Sequence, residues 1–110
     1  LQRFNEKNPL ESVVLTFNFV LFLPPGVLLT GTPVVTITDP YGNDTDPAAI
    51  ANGPPAIDES QTLVLMPVTG GLDMNDYIVV AQCPTTSLSW TPALPAILPI
   101  RSFPSRVGAP

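Results

Sequence analysis

The chain contains no histidine and only one cysteine, Cys83. Without histidine it lacks the commonest general base near pH 7 and the commonest metal ligand. Neither a Ser-His-Asp nor a Cys-His arrangement can be assembled. A single cysteine forms no intrachain disulfide, so the chain does not read as a stapled secreted scaffold. Basic residues are also scarce: Arg3, Lys7, Arg101 and Arg106 all sit near the two ends. Between them, residues 39–76 carry seven acids (Asp39, Asp44, Asp46, Asp58, Glu59, Asp73 and Asp76), and the net charge is −5. That stretch repels a phosphate backbone, which argues against a nucleic-acid partner. No uninterrupted apolar run reaches the roughly 18 residues that a membrane-spanning helix needs. The stretch Phe17–Leu29 comes nearest, and Asn18, Pro24, Pro25 and Gly26 interrupt it.

What the chain has in abundance is proline and β-branched residues. Fifteen prolines in 110 residues are far above the usual share of about 5%. Each removes a backbone donor and disfavours helix interiors and central strands. Between them lie short alternating segments. Val13, Leu15, Phe17 and Phe19 recur with period two, which predicts a half-buried strand from Ser12 with the odd-numbered residues inward. Leu28–Leu29 opens a short second strand, and Val34–Thr38 forms a clearer one. Asp39-Pro40-Tyr41-Gly42-Asn43 reads as a turn. Residues 44–55 are turn-rich, with Ala48–Ala51 as a short strand or half a helical turn. Ala56–Asp58, Thr62–Val68, Tyr77–Cys83 and Ile97–Ile100 complete the strands. Pro67 places the far end of its strand at an edge, and prolines break residues 84–96.

Six to eight short strands with almost no helix predict an all-β chain. Its expected form is an immunoglobulin-like antiparallel β-sandwich with extended, proline-rich termini; a dense barrel remains the architectural alternative. Residues 1–11 read as an N-terminal arm, 12–101 as the sandwich domain and 102–110 as a C-terminal tail. Asp76-Tyr77 opening the penultimate strand resembles a tyrosine corner, whose phenol hydroxyl bonds to nearby backbone. On that reading Tyr77→Phe loses on the order of 1 kcal/mol through one hydrogen bond. Cys83 reads as a small buried hydrophobe at a strand end.

The search for chemistry yields little. Carboxylates are the only catalytic type in supply. A glycosidase needs two of them facing each other across a cleft, roughly 5–9 Å apart, whereas these lie mainly in turns. Asp39, Asn43, Asp44 and Asp46 offer closely spaced oxygen ligands, the raw material of a weak calcium site. The closing glutamate of a regular calcium loop is missing, and a solvated acidic turn is the plainer reading. Asn43-Asp44-Thr45 spells a glycosylation acceptor, a word short enough to occur by chance. No cofactor or metal is expected, and the chain does not read as an enzyme.

The surplus is apolar surface. Phe19-Val20-Leu21-Phe22-Leu23 is more continuous than a strand with one wet face requires, and Leu28, Leu29 and Met66 add to it. These residues either pack beneath loops or meet a neighbouring protein. With Trp90 and Leu94 they form the candidate interface: Phe19, Leu21, Phe22, Leu23, Leu28, Leu29, Met66, Trp90 and Leu94. Thr91-Pro92-Ala93-Leu94-Pro95 is an extended segment of the kind that binds with little further loss of chain entropy.

Several words of the sequence, in order, carry a resemblance. They are Asn8-Pro9, ESVVLTFNF at 11–19, Leu23-Pro24, NGPPAI at 52–57, LMPVTGG at 65–71, DYIV at 76–79 and AILPIR at 96–101. Together they resemble the phage fibre–tail adaptor family of small immunoglobulin-like virion proteins over residues 8–101. Where that family usually places a Thr-x-x-Gly turn, this chain has Thr85-Thr86-Ser87-Leu88-Ser89-Trp90 instead. The resemblance implies an immunoglobulin-like fold, no catalytic residues and a structural role in a virion. There the chain links tail or head–tail junction proteins to fibres, in many copies, with other phage structural proteins as partners and neither nucleic acid nor membrane. Two alternatives remain: a capsid decoration or head-completion protein with the same fold, and a ligand-binding domain of a bacterial surface protein.

Overall fold

The computed structural model describes residues 2–87 and 90–102. Among the described residues, seven strands form two sheets. They are β1 (Gln2–Arg3), β2 (Ser12–Asn18), β3 (Val34–Thr38), β4 (Ala56–Ile57), β5 (Leu63–Thr69), β6 (Asn75–Gln82) and β7 (Ala93–Ile100). The first sheet has the order β1-β7-β6-β3 and the second β2-β5-β4. Two sheets face each other over a core that includes Leu15, Phe17, Val64, Val68, Tyr77, Val79 and Leu98. The chain is an all-β sandwich, and the orders β7-β6-β3 and β2-β5-β4 are those of the immunoglobulin fold.

Period two builds these sheets as expected. Along β2 the odd-numbered Leu15 and Phe17 are buried while Val14, Thr16 and Asn18 are exposed. β6 alternates the same way, burying Asn75, Tyr77, Val79 and Ala81. The segment Ala48–Ala51 resolves as a 3-10 turn, Pro47–Ile50, which sends Ile50 into the core.

Three expectations need correction. The first concerns the segment read as an N-terminal arm, of which residues 2–7 are bound to the sandwich. β1 pairs in parallel with β7, Gln2 opposite Ala96 and Arg3 opposite Ile97, so the sandwich is not wholly antiparallel. Phe4 meets Phe17 edge to face with ring centroids 5.2 Å apart. Lys7 is buried, and its ammonium donates to the carbonyls of Gly70 (2.6 Å) and Asn8 (2.9 Å). The segment is bound by backbone pairing, an aromatic contact and a buried cation, none of which its local polarity reveals.

The second correction concerns the strand starting at Ser12, which stops at Asn18. The Asn18 side chain accepts from the Val20 backbone N–H (2.9 Å) and turns the chain into a 3-10 turn, Val20–Phe22. An asparagine that bonds its own backbone two residues on favours such a turn.

The third correction concerns β7, which begins at Ala93, inside the stretch that proline was expected to break. Ile97 and Pro99 direct their carbonyls to Phe4 and Lys7, away from β6. Pro95 and Pro99 share that outward phase, so neither removes a donor from the β6–β7 ladder. Pro67 follows the same logic. It faces the β4 side of β5, where β4 has already ended opposite Leu65, and its carbonyl accepts from Asn52. Residues 103–110, the rest of the expected tail with Arg106, lie outside the described residues, as do Leu88 and Ser89.

Burial of Lys7 has a pH signature. Desolvation lowers its pKa from 10.5, against a smaller opposing pull from Glu11. Below the folded-state pKa the fold carries a penalty for its buried charge. That penalty is relieved as pH rises toward the unfolded value of 10.5, because the unfolded chain then holds more protons. Wild type is therefore expected to gain stability relative to Lys7→Met from neutrality toward pH 10.5. Urea unfolding of both chains across that range checks the sign, and a flat difference refutes it.

Candidate functional site

One corner of the sandwich carries apolar side chains that its own core does not use. The turn Val20–Phe22 buries none of its residues. Leu21 is 91% exposed and Phe22 53%. The start of β7 and the proline-rich segment before it lie alongside. Leu21 and Phe22 share a shallow hollow of about 360 Å³ with Gln2, Asn18, Leu94 and Pro95. Phe22 and Leu94 also line a second hollow of about 270 Å³, with Phe19, Trp90, Pro92 and Ala93. The two hollows share Phe22 and Leu94, so they form one apolar ledge. It is framed by a turn on one side and by prolines on the other.

Of the nine candidate interface residues, Leu21, Phe22, Trp90 and Leu94 come together here. The others do not all belong. Phe19, Leu29 and Met66 are core residues, which corrects their place in an exposed interface. Phe19 continues the inward phase of β2, and its N–H donates to Thr62. Leu29 is drawn inward by its bridge to Thr85, and Met66 takes an inward position on β5. Leu23 packs partly against the core. Leu28 is exposed but lines neither hollow. The sequence reading missed Gln2, because the parallel β1–β7 pairing is what brings the N-terminus to this corner; Pro95 lies in the extended segment 91–95 that it had singled out. The lone aromatic Phe4 in a polar stretch was the available signal.

The acidic loop is committed elsewhere. Asp39 accepts from the backbone N–H groups of Tyr41 (2.9 Å) and Asp44 (2.8 Å). Burial pushes the Asp39 pKa up, but these backbone bonds and the Asn75 amide outweigh it and hold the carboxyl below its ordinary value. Asp44 caps the Asp46 N–H with one oxygen (2.9 Å) and accepts from the Tyr77 hydroxyl with the other (2.6 Å). Asn43 donates to Asn75 (3.2 Å), so the amide of the glycosylation word is tied inward. Among the described residues no group of three or more His, Cys, Asp or Glu side chains is placed to hold a metal ion.

The Tyr77 hydroxyl also accepts from the Leu72 backbone N–H (3.0 Å), five residues upstream. This is the geometry of a tyrosine corner, here with an added carboxylate. Desolvation and then the Asp44 carboxylate raise the phenol's pKa above 10.0. Cys83 is buried with its thiol 3.6 Å from the Thr30 carbonyl. Burial raises its pKa, the opposite of what an activated nucleophile needs.

The fold and ledge define an immunoglobulin-like sandwich with an apolar corner open to solvent. Compared with known proteins, the chain finds no significant match to any family model, curated protein or solved structure. No helix among the described residues is long and apolar enough to cross a membrane.

Proposed function

We propose that this chain is a non-enzymatic structural component of a phage particle, an adaptor that links tail or head–tail junction proteins to fibres. The observation that carries the reading is the ledge of Leu21, Phe22, Trp90 and Leu94. Contiguous apolar surface of this kind is characteristic of a docking site, and aromatic side chains are enriched at the centres of interfaces. The sandwich is the architecture that the ordered words from Asn8 to Arg101 imply through their resemblance to the adaptor family. The thiol of Cys83 is buried, and the Asp44 carboxylate accepts from the Tyr77 hydroxyl, so these two side chains are held in structural roles. The partners on this reading are other structural proteins of the particle, engaged in several copies.

Gradient-purified virions of the phage that encodes the chain provide the test. A density map of the particle is expected to show the sandwich at the head–tail junction or tail, with Leu21 and Phe22 covered by a neighbouring protein. Leu21→Asp is expected to leave the isolated chain within about 0.5 kcal/mol of wild-type stability, as exposed substitutions generally do. The same variant is expected to be absent from particles. Particles that lack the wild-type chain, or that incorporate the aspartate variant normally, overturn the reading.

A further inference from the structure

The ledge and the Tyr77 corner make no use of one reactive pair of residues, Asn52-Gly53. It lies on the arch between the turn Pro47–Ile50 and β4, at the β4 edge of the second sheet. The arch is anchored at both ends. Ala51 bridges Val68, and the Asn52 N–H donates to the Pro67 carbonyl at 3.0 Å. Pairing resumes at Ala56, opposite Leu65. Between these anchors Pro54 and Pro55 have no N–H to give. Among the described residues nothing accepts from the Gly53 N–H.

The fold itself calls for the glycine. Gly53 has a φ of +124°, a backbone conformation that glycine adopts without the cost a side chain would bring. A Cβ there would stand 3.5 Å from the Pro67 ring, an ordinary contact. The backbone angle, not crowding, therefore selects glycine at this position.

An asparagine followed by glycine carries its own electrophile and nucleophile. The side-chain carbonyl carbon of Asn52 and the nitrogen of Gly53 can close a five-membered ring. With no Cβ on Gly53, no side chain shields that nitrogen. Both residues are exposed.

Of the six asparagines in the chain, the other five each lack one of these conditions. Asn8 precedes Pro9, which has no N–H. The nitrogen after Asn18 donates to Thr62, and the nitrogen after Asn43 donates to Asp39. Asn75 is buried in β6. Asn5 is exposed, but Glu6 places a side chain beside the attacking nitrogen.

We propose that Asn52-Gly53 is a site of spontaneous covalent self-modification, closing to a succinimide that water opens to aspartyl and isoaspartyl forms. The Gly53 nitrogen gives its proton to solvent base and attacks the amide carbon of the Asn52 side chain. A new C–N bond closes the ring, the bond to the side-chain nitrogen breaks, and that nitrogen leaves as ammonia. Water then adds to either ring carbonyl and breaks one ring C–N bond. The net change is one water taken up and one ammonia released, with no oxidation or reduction. The product is one charge more negative than the unmodified chain at −5. In the isoaspartyl form the backbone runs through the former side chain, which lengthens the arch by one carbon. The change falls at a sheet edge, next to the two-residue β4.

Peptide mass spectrometry on the purified chain, incubated at mildly alkaline pH in water enriched in heavy oxygen, tests this. Asn52 is expected to lose its amide about tenfold or more faster than any other asparagine, a gap of about 1.4 kcal/mol in barrier. The new oxygen at residue 52 comes from the labelled water, and an isoaspartyl-specific methyltransferase labels part of the product. The rate rises with pH, because the attacking nitrogen is the deprotonated one. Asn52→Gln keeps an exposed amide but needs a six-membered ring, and is expected to abolish the reaction there. A urea-unfolded chain supplies the reference. Native Asn52 is expected to react within about tenfold of the unfolded rate, while Asn18 and Asn43 react only once the chain is unfolded. Amide loss that begins at another asparagine overturns the proposal. So does an Asn52 amide that survives in the native chain while the unfolded chain loses it, and so does equal loss from Asn52→Gln.

Discussion

Tyr77→Ala is expected to destabilise the fold by about 3–5 kcal/mol, the range for removing a large buried ring from a core that cannot collapse around the gap. Tyr77 is fully buried, and among the described residues it is the largest side chain with no exposure. Tyr77→Phe isolates the hydroxyl. That group donates to Asp44 at 2.6 Å and accepts from Leu72 at 3.0 Å. An ionised acceptor strengthens the first bond, and removing the hydroxyl strands both partners. A loss of about 1.5–3 kcal/mol follows, the range for hydrogen bonds to charged groups, above the single neutral bond expected from sequence alone. The phenol's raised pKa adds a second signature. Stability held by Tyr77 is complete below the unfolded value of 10.0 and is lost as pH climbs through the higher folded value. The phenylalanine variant should lack that alkaline fall. Denaturant unfolding of the three chains measures both effects. Equal losses from the two variants, or none, rule the corner out.

Phe17→Ala is expected to lose a similar amount, about 3–5 kcal/mol. Phe17 is fully buried on the inward face of β2, and it alone supplies the ring that Phe4 meets edge to face. Aromatic pairs of this geometry add about 0.5–1.5 kcal/mol beyond area burial. A double-mutant cycle over Phe4→Leu and Phe17→Leu reads that coupling directly. A coupling within error of zero would mean that residues 2–7 are tied to the sandwich by backbone pairing and Lys7 alone. A coupling in the expected range makes the N-terminal segment part of the cooperative core.

The strands that alternate most regularly were legible in the sequence. β2 and β3 follow an alternation written in their own residues, with one face turned inward and the other mostly exposed; β5 and β6 were legible instead from continuous apolar, β-branched content, and their outer faces are mostly half-buried. The start of β7 was not legible. Ala93-Leu94-Pro95 reads as broken, and only the direction of the Ile97 and Pro99 carbonyls shows that its prolines lie in the harmless phase. β1 was invisible for a different reason. Two residues carry no periodicity, and what secures them is a pairing with a strand more than ninety positions away. The ledge was legible in part: its residues were chosen from an excess of apolar side chains, and the excess was real. Composition could not say that Phe19, Leu29 and Met66 would be used inside while Leu21 and Phe22 stayed out, since that choice depends on the bend at Asn18, the bridge from Leu29 to Thr85 and the inward position of Met66 on β5.

By itself the sequence determined the two-layer β class, the inward face of its main strands and the tyrosine at the corner. Those properties follow from short-range alternation and turn chemistry, which act over a few residues. Only the tertiary structure decided which apolar residues remain at the surface, that the N-terminal segment joins the first sheet, and that Lys7 is buried. Each of these depends on contacts between residues far apart in the chain, and no local pattern encodes the partner that a strand edge or a buried lysine will find.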